Sequence, residues 1–324
     1  MHTNDEDRIL TINKIRIFHP ELSEITEKLA NCHKRARLRP EPPCMIVTGL
    51  QGVGKTTLYE SYAERYPRVE TDEGTIVPCL TAMIPVPATV SGLVSEILDA
   101  LGDPAPELGN IPNRTLRLRR LLKNCKTEII FLDEFQHVID RDLERVLKTT
   151  ADWLKILLNN TRIPVVLLGM PSCTIILEAN PQLRRRFSIR RQLMPFAWTS
   201  STEDGKTDYP TRKLLKLIEK QLPLKQASNL ADHDTAYRIY AASGGVIDSI
   251  MKLIRGAAEL AIDSGQERIT LKFLSDVYDD ELAANQPNIP NPFKVKMQQI
   301  LVAEPTYQPT LPQKSAPKRR GRLI

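Results

Sequence analysis

The sequence predicts an α/β fold, a mostly parallel sheet flanked by helices, followed by a small all-α domain and a disordered basic tail. Three observations predict it. Short apolar runs alternate with helix-length amphipathic segments up to Pro195, the pattern of right-handed βαβ crossovers. The first apolar run opens into a turn, Gly49 to Thr56, that satisfies GxxxxGK followed by Ser or Thr. A later run, Ile129 to Leu132, ends in the acids Asp133 and Glu134, as a buried parallel strand does where its C-terminal edge meets a site.

The elements follow in order. His19 to Arg37 reads as an amphipathic helix, with Leu22, Ile25, Leu29 and Cys32 at helical spacing and Pro20 near its start. Cys44 to Thr48 reads as a buried strand, Lys55 to Tyr66 as helix and Ile76 to Ile84 as strand. Val90 to Leu101 is helical and stops before the turn signal Gly102-Asp103-Pro104. Arg114 to Cys125 is a further helix, Ile129 to Asp133 a strand, Leu143 to Asn159 a helix and Val165 to Leu168 a strand, with Gln192 and Leu193 continuing into a fifth. Beyond Pro195 only helices remain: Thr211 to Gln221, Asp232 to Ala242, Val246 to Asp263 and Leu271 to Ala284. From Asn285 onward prolines replace any period. The chain thus divides into an N-terminal helical extension (1–40), an α/β domain (41–196), an α-helical domain (197–284) and a disordered tail (285–324).

Composition excludes several classes. Apolar residues make up 41% and charged residues 26%, ordinary for a globular chain. No apolar run approaches the roughly 20 residues of a membrane span. Five scattered cysteines without CxxC spacing argue against a disulfide framework or a zinc site and suit a reducing cytoplasm. The net charge of +6 resides in the tail, where seven basic residues from Lys294 to Arg322 face one acid, Glu304. The rest of the chain is neutral.

The chemistry follows from spacing. In Gly49-Leu50-Gln51-Gly52-Val53-Gly54-Lys55-Thr56 the glycines let main-chain N–H groups wrap phosphates without Cβ clashes. The helix that starts beside Gly54 aims its positive end at the same anion. Val53 and Thr57 belong to the same nucleotide-binding set. Lys55 reaches the β and γ phosphates of ATP, and Thr56 supplies a hydroxyl to Mg²⁺. Asp133 completes the Mg²⁺ shell, and Glu134 orients and deprotonates the attacking water. In Gln182-Leu183-Arg184-Arg185-Arg186-Phe187 either Arg185 or Arg186 could act as an arginine finger toward the ATP of a neighbouring subunit.

With these motifs in place, the chain resembles the TnsC/TniB family of transposon-encoded AAA+ regulators, which includes those of CRISPR-associated transposons. The matching residues are His19-Pro20, Met45-Ile46-Val47-Thr48-Gly49, Phe131-Leu132-Asp133-Glu134-Phe135-Gln136-His137, Leu168-Gly169-Met170-Pro171, the Gln182 to Phe187 run, Gly244-Gly245-Val246-Ile247 and Asn291-Pro292-Phe293. The resemblance implies an AAA+ P-loop NTPase with an α-helical lid. It implies a bacterial ATPase that assembles with ATP on double-stranded DNA as a ring or filament, six or seven subunits per turn, without sequence preference. It further implies that the assembly links a TniQ-type target selector to a TnsA/TnsB-type transposase, with hydrolysis controlling disassembly.

Two departures stand out. AAA+ lids often carry an arginine three residues after the second glycine, where this chain has Asp248; Lys252 or Arg255 could substitute. The fourth strand ends in Gly169-Met170-Pro171-Ser172, which leaves Ser172 as the nearest polar candidate for a sensor. For DNA, Arg114, Arg117, Arg120 and Lys123 recur every third residue along one helix and could track a phosphate backbone. Two other readings share the ATP site: a helicase loader of the DnaC or IstB kind, and a switch that binds ATP without turnover.

Overall fold

The computed structural model describes residues 2–36, 38–138, 143–201 and 207–304. The basic cluster Lys318 to Arg322 lies outside them. Five parallel strands form the central sheet: β1 (Met45–Gly49), β4 (Cys79–Met83), β5 (Ile129–Asp133), β6 (Val165–Gly169) and β7 (Ile189–Leu193), in the spatial order β4-β5-β6-β1-β7. A short antiparallel hairpin, β2 (Val69–Thr71) and β3 (Gly74–Ile76), stands apart from it. β1 sits between β6 and β7, with Met45 opposite Val166 on one side and Ile189 on the other. This places the turn after β1 at the carboxyl edge of the sheet, where open α/β folds bind ligands.

The three inner strands are buried along their whole length and apolar except for Thr48 and Asp133 at their carboxyl ends, so the sheet is covered on both faces. Ile46, Ile130, Leu132, Val165 and Leu167 point into one core. Met45, Val47, Ile129, Phe131, Val166 and Leu168 point into the other, the period of two that strand geometry dictates. The first core is filled by helices α4 (Val90–Ala100), α5 (Ile111–Asn124) and α6 (Leu143–Thr161). The second is filled by α2 (Pro20–Ala36) and α3 (Lys55–Ala63), with Leu22, Ile25, Leu29 and Cys32 all buried there. α4 starts where Thr89 caps the Gly92 amide at 2.9 Å, and α5 where Asn110 caps Asn113 at 3.0 Å.

The lid is helical, as its periodicity predicts: α9 (Pro210–Glu219), α10 (His233–Ser243), α11 (Ile247–Asp263) and α12 (Leu271–Val277). The last of these is shorter than the sequence suggests and runs on through a π turn, Tyr278–Leu282.

The N-terminal extension is two separate pieces, not one. A helix unread in the sequence, α1 (His2–Lys14), packs on the lid: Ile12, Ile15 and Ile17 are buried with Leu253, Ile254 and Ala257. Arg8 donates to Glu267 at 2.7 Å and to the Pro223 carbonyl at 3.1 Å. α2 packs on the sheet, so the linker Ile15 to His19 crosses from one domain to the other.

The expected disorder from Asn285 begins too early. Residues 286–304 lie against the lid without helical period, held by particular bonds. Arg238 donates to the carbonyls of Pro292 and Val295. Asn291 bonds Ser275 and Asp279, Lys294 pairs with Asp279 at 2.5 Å, and Ala303 donates to the Ala241 carbonyl at 2.8 Å.

Candidate nucleotide site

The site grows out of the end of β1. Gly52 (φ 76°) and Gly54 (φ 99°) take left-handed backbone conformations that side chains disfavour. This turn sets the first amides of α3 along a cavity of about 400 Å³ lined by Gln51, Gly52, Val53, Gly54, Lys55, Thr56 and Thr57. Gly54 offers no side-chain cap, so those first-turn N–H groups are available to an anion. At Gly49 a Cβ would lie 2.6 Å from the Leu193 carbonyl oxygen, so only glycine lets β7 close on the loop.

Lys55 is buried, and its ammonium donates to the carbonyls of Gly49 (3.0 Å) and Leu50 (2.9 Å). Burial lowers its pKa, while the charges of Asp133 and Glu134 oppose that shift. Thr56 Oγ1 donates to Asp133 Oδ2 at 3.3 Å, and Asp133 Oδ1 accepts the Glu134 amide at 2.8 Å. A hydroxyl and a buried carboxylate therefore stand side by side, the hard oxygen pair that suits Mg²⁺. Among the described residues no group of three or more His, Cys, Asp or Glu side chains could hold a metal alone. The Tyr59 phenol is pushed up by burial first and by Asp133 next.

Glu134 lines the cavity with a left-handed backbone (φ 56°). Such a conformation in a non-glycine residue costs about 1–3 kcal/mol and collects at functional sites. Its carboxylate accepts a hydrogen bond from Gln136 Nε2 and lies 3.5 Å from His137 Nε2. Gln136, quoted in the sequence only as part of a motif, also accepts the Met170 amide at 3.0 Å. Ser172 is exposed and does not line the cavity.

The lid closes the other wall. Asp248 gives its main-chain amide to the Gly52 carbonyl at 3.0 Å, and its carboxylate pairs with Lys252 at 2.9 Å. Lys252 does not line the cavity, whereas Arg255 does and donates to the Ile15 carbonyl at 2.9 Å. Asn13 near the end of α1 and the linker residues Ile15, Arg16, Ile17 and His19 supply a wall that periodicity could not reveal. Arg16 is tied to Glu64 at 2.6 Å. Burial holds His19 down at about 4, and its ring stands edge-on to Phe196 at 4.8 Å. The His19-Pro20 pair was the one sequence signal for this wall.

The two remaining predicted sets fare differently. In α8 (Pro181–Arg186), which follows the one-turn α7 (Ile176–Ala179), Arg186 donates to Asn159 at 2.9 Å and lies 3.6 Å from Glu41, while Arg184 and Arg185 are exposed without an ion pair among the described residues. The four-residue stripe on α5 is corrected. Arg114 is buried and spends its guanidinium on Ser91 and Ser95. Arg117 pairs with buried Asp103 at 2.5 Å and bonds the Ala105 and Leu108 carbonyls. Only Arg120 and Lys123 are exposed, and with Arg119 and Lys126 they line a groove at the opposite end of the sheet from the nucleotide cavity.

The bacterial TniB protein family matches residues 8–196, more than half of the chain. The chain belongs to the TniB family. No curated protein matches it. Among solved structures it is similar to the Orc1 protein of Aeropyrum pernix in complex with DNA, at 17% identity and a TM-score of 0.58, covering 84% of this chain and 69% of that one. It is similar to the ORC2 protein of Aeropyrum pernix with ADPNP and ADP, at 16% identity and a TM-score of 0.58, covering 84% and 72%. It is also similar to Cdc6p of Pyrobaculum aerophilum, at 16% identity and a TM-score of 0.57, covering 85% and 72%. These likenesses show the AAA+ fold for a TniB chain. No described helix is long and apolar enough to cross a membrane.

Proposed function

We propose that this TniB chain is an Mg²⁺-dependent ATPase that assembles on duplex DNA with ATP and links a TniQ-type target selector to the transposase, with hydrolysis controlling disassembly. The observation that carries it is the meeting of α3 with the end of β5: Lys55, Thr56 and Glu134 line one cavity, and buried Asp133 stands directly behind, accepting from Thr56 at 3.3 Å and from the Glu134 amide at 2.8 Å. Main-chain amides from Gly52 to Thr56 and the Lys55 ammonium bind the triphosphate. Thr56 and Asp133 would hold Mg²⁺, which would supply positive charge to offset that of the phosphates. Glu134 accepts the proton of the attacking water. Family membership supports the transposition role, and the neighbours solved with DNA or with ADPNP support the ligands.

Arg185 is the finger in this reading, because Arg186 is engaged within its own subunit. Duplex DNA is held through phosphates by Arg119, Arg120, Lys123 and Lys126, a cluster whose lining has no carboxylate. Repeated around an assembly, such a cluster gives strong salt dependence and little base preference.

Calorimetry with a slowly hydrolysed ATP analogue and negative-stain imaging with duplex DNA test the proposal together. Wild type should bind the analogue and form rings or filaments on DNA, and Lys55→Ala should do neither. Assemblies of Lys55→Ala indistinguishable from wild type would remove the phosphate loop from the mechanism. Capture of a replicative helicase in place of a transposase would move the chain to the loader reading.

A further inference from the structure

We infer that Gln136 is a positioning residue for hydrolysis: its side-chain amide fixes the Glu134 carboxylate and ties it to the tip of β6. The inference rests on Glu134 being the general base. Glu134 alone is poorly placed to hold one orientation. It follows the last residue of β5 with a left-handed backbone, and its side chain borders an open cavity. Gln136 Nε2 donates to Glu134 Oε2, and Gln136 Oε1 accepts the Met170 amide at 3.0 Å, immediately past β6. One end of the amide is used as a donor and the other as an acceptor. No other side chain of this length offers both: glutamate at 136 has no donor when ionised, and leucine has neither.

The surroundings are built around that amide. A Cβ at Gly169 would lie 2.7 Å from Gln136 Oε1 and 3.2 Å from the main-chain nitrogens of Phe135 and Gln136. Glycine at the end of β6 is what lets the relay pass. The short helical turn Phe135–Val138 is anchored by Phe135 and Val138, both buried, so position 136 cannot drift. A shift of β6 would therefore move the carboxylate that activates water. General-base catalysis contributes about 10²–10⁴-fold, and misplacement by about 1 Å can cost on the order of 10²-fold.

The test combines two variants of Gln136 with Glu134→Gln. Gln136→Glu keeps the acceptor for Met170 and loses the donor to Glu134; Gln136→Leu loses both. Both should lower kcat for ATP at least about tenfold while leaving KM and the affinity for a slowly hydrolysed analogue within about threefold, since the amide acts through the base and not on the phosphates. Amide hydrogen exchange separates the two ends: Met170 should stay protected in Gln136→Glu and lose protection in Gln136→Leu. Adding Gln136→Glu to Glu134→Gln should cost no further activity, the non-additivity of residues that act as a unit. Wild-type kcat in Gln136→Glu with Met170 protected, or full additivity in the double variant, overturns the inference. Wild-type turnover in Glu134→Gln overturns the general-base reading instead, whatever position 136 does. If Gln136→Leu fails to fold, Gln136→Glu and the double variant still decide.

Discussion

The phosphate loop and the α5 arginine row are both sequence patterns of regular spacing, and only the first survives intact in three dimensions. In the loop, spacing controls the main chain: Gly52 and Gly54 must adopt positive φ, and everything from Gly49 to Thr56 is then placed by covalent geometry. In the arginine row, spacing controls only the direction of side chains. Three residues advance about 300° around a helix, so a row of period three drifts by about 60° per step. Lys123 therefore lies about half a turn from Arg114. One end of the row is buried against Ser91 and Ser95 and the other is exposed. A pattern that fixes the backbone is stronger evidence of a site than one that fixes charge.

That contrast is broken or sharpened first at Glu134. Glu134→Gln should bind ATP with near wild-type affinity and turn over about 10²–10⁴-fold more slowly, the usual contribution of a general base. Steady-state phosphate release measures it, and the variant should persist on DNA. A fall in affinity of similar size would mean that Glu134 serves binding, and the motif would then predict location without role.

The sequence made most of the sheet and the turn from Gly49 to Thr56 legible, because apolar runs and a glycine motif are local signals. β7 was glimpsed only at Gln192 and Leu193, since its Ile189-Arg190-Arg191 start is charged and pairs on one side only, against β1. α1 was missed because its helix is mostly polar and carries few apolar residues; Ile9 and Ile12 form a face only when α11 is present to cover them. Residues 286–304 looked disordered because single bonds to Arg238 and Asp279, not periodic burial, hold them. The linker wall of the cavity shares this cause: it is made where α1, packed on the lid, and α2, packed on the sheet, are joined.

Ile12 tests the α1 reading. It is fully buried in the lid core, and Ile12→Ala should cost about 2–4 kcal/mol in the unfolding free energy of the lid. Denaturant melts followed by hydrogen exchange in α11 would register it. A loss below about 0.5 kcal/mol, the range of exposed positions, would mean that α1 does not belong to the lid.

Arg117 comes next. Its partner Asp103 is buried, with a side chain 4% exposed, while the Arg117 side chain is 32% exposed. Arg117→Met leaves that carboxylate unpaired, and the penalty for a partly exposed pair should be about 1–3 kcal/mol. Nucleotide and DNA affinity per folded molecule should not change. Weaker DNA binding at full stability would restore Arg117 to the DNA surface and undo the distinction between the two ends of the row.

The smallest effect belongs to the exposed end. Arg120→Ala and Lys123→Ala remove cations without an ion pair among the described residues, so stability should move by no more than about 0.5 kcal/mol. If each touches one phosphate, the slope of log K against log salt should fall by about 0.9 for each substitution, on any duplex sequence. The two changes should add, because each releases its own counterion. An unchanged slope would assign these cations to offsetting the negative C-terminal ends of α5 and α6, which meet at the same groove, and DNA would have to be gripped elsewhere on the assembly.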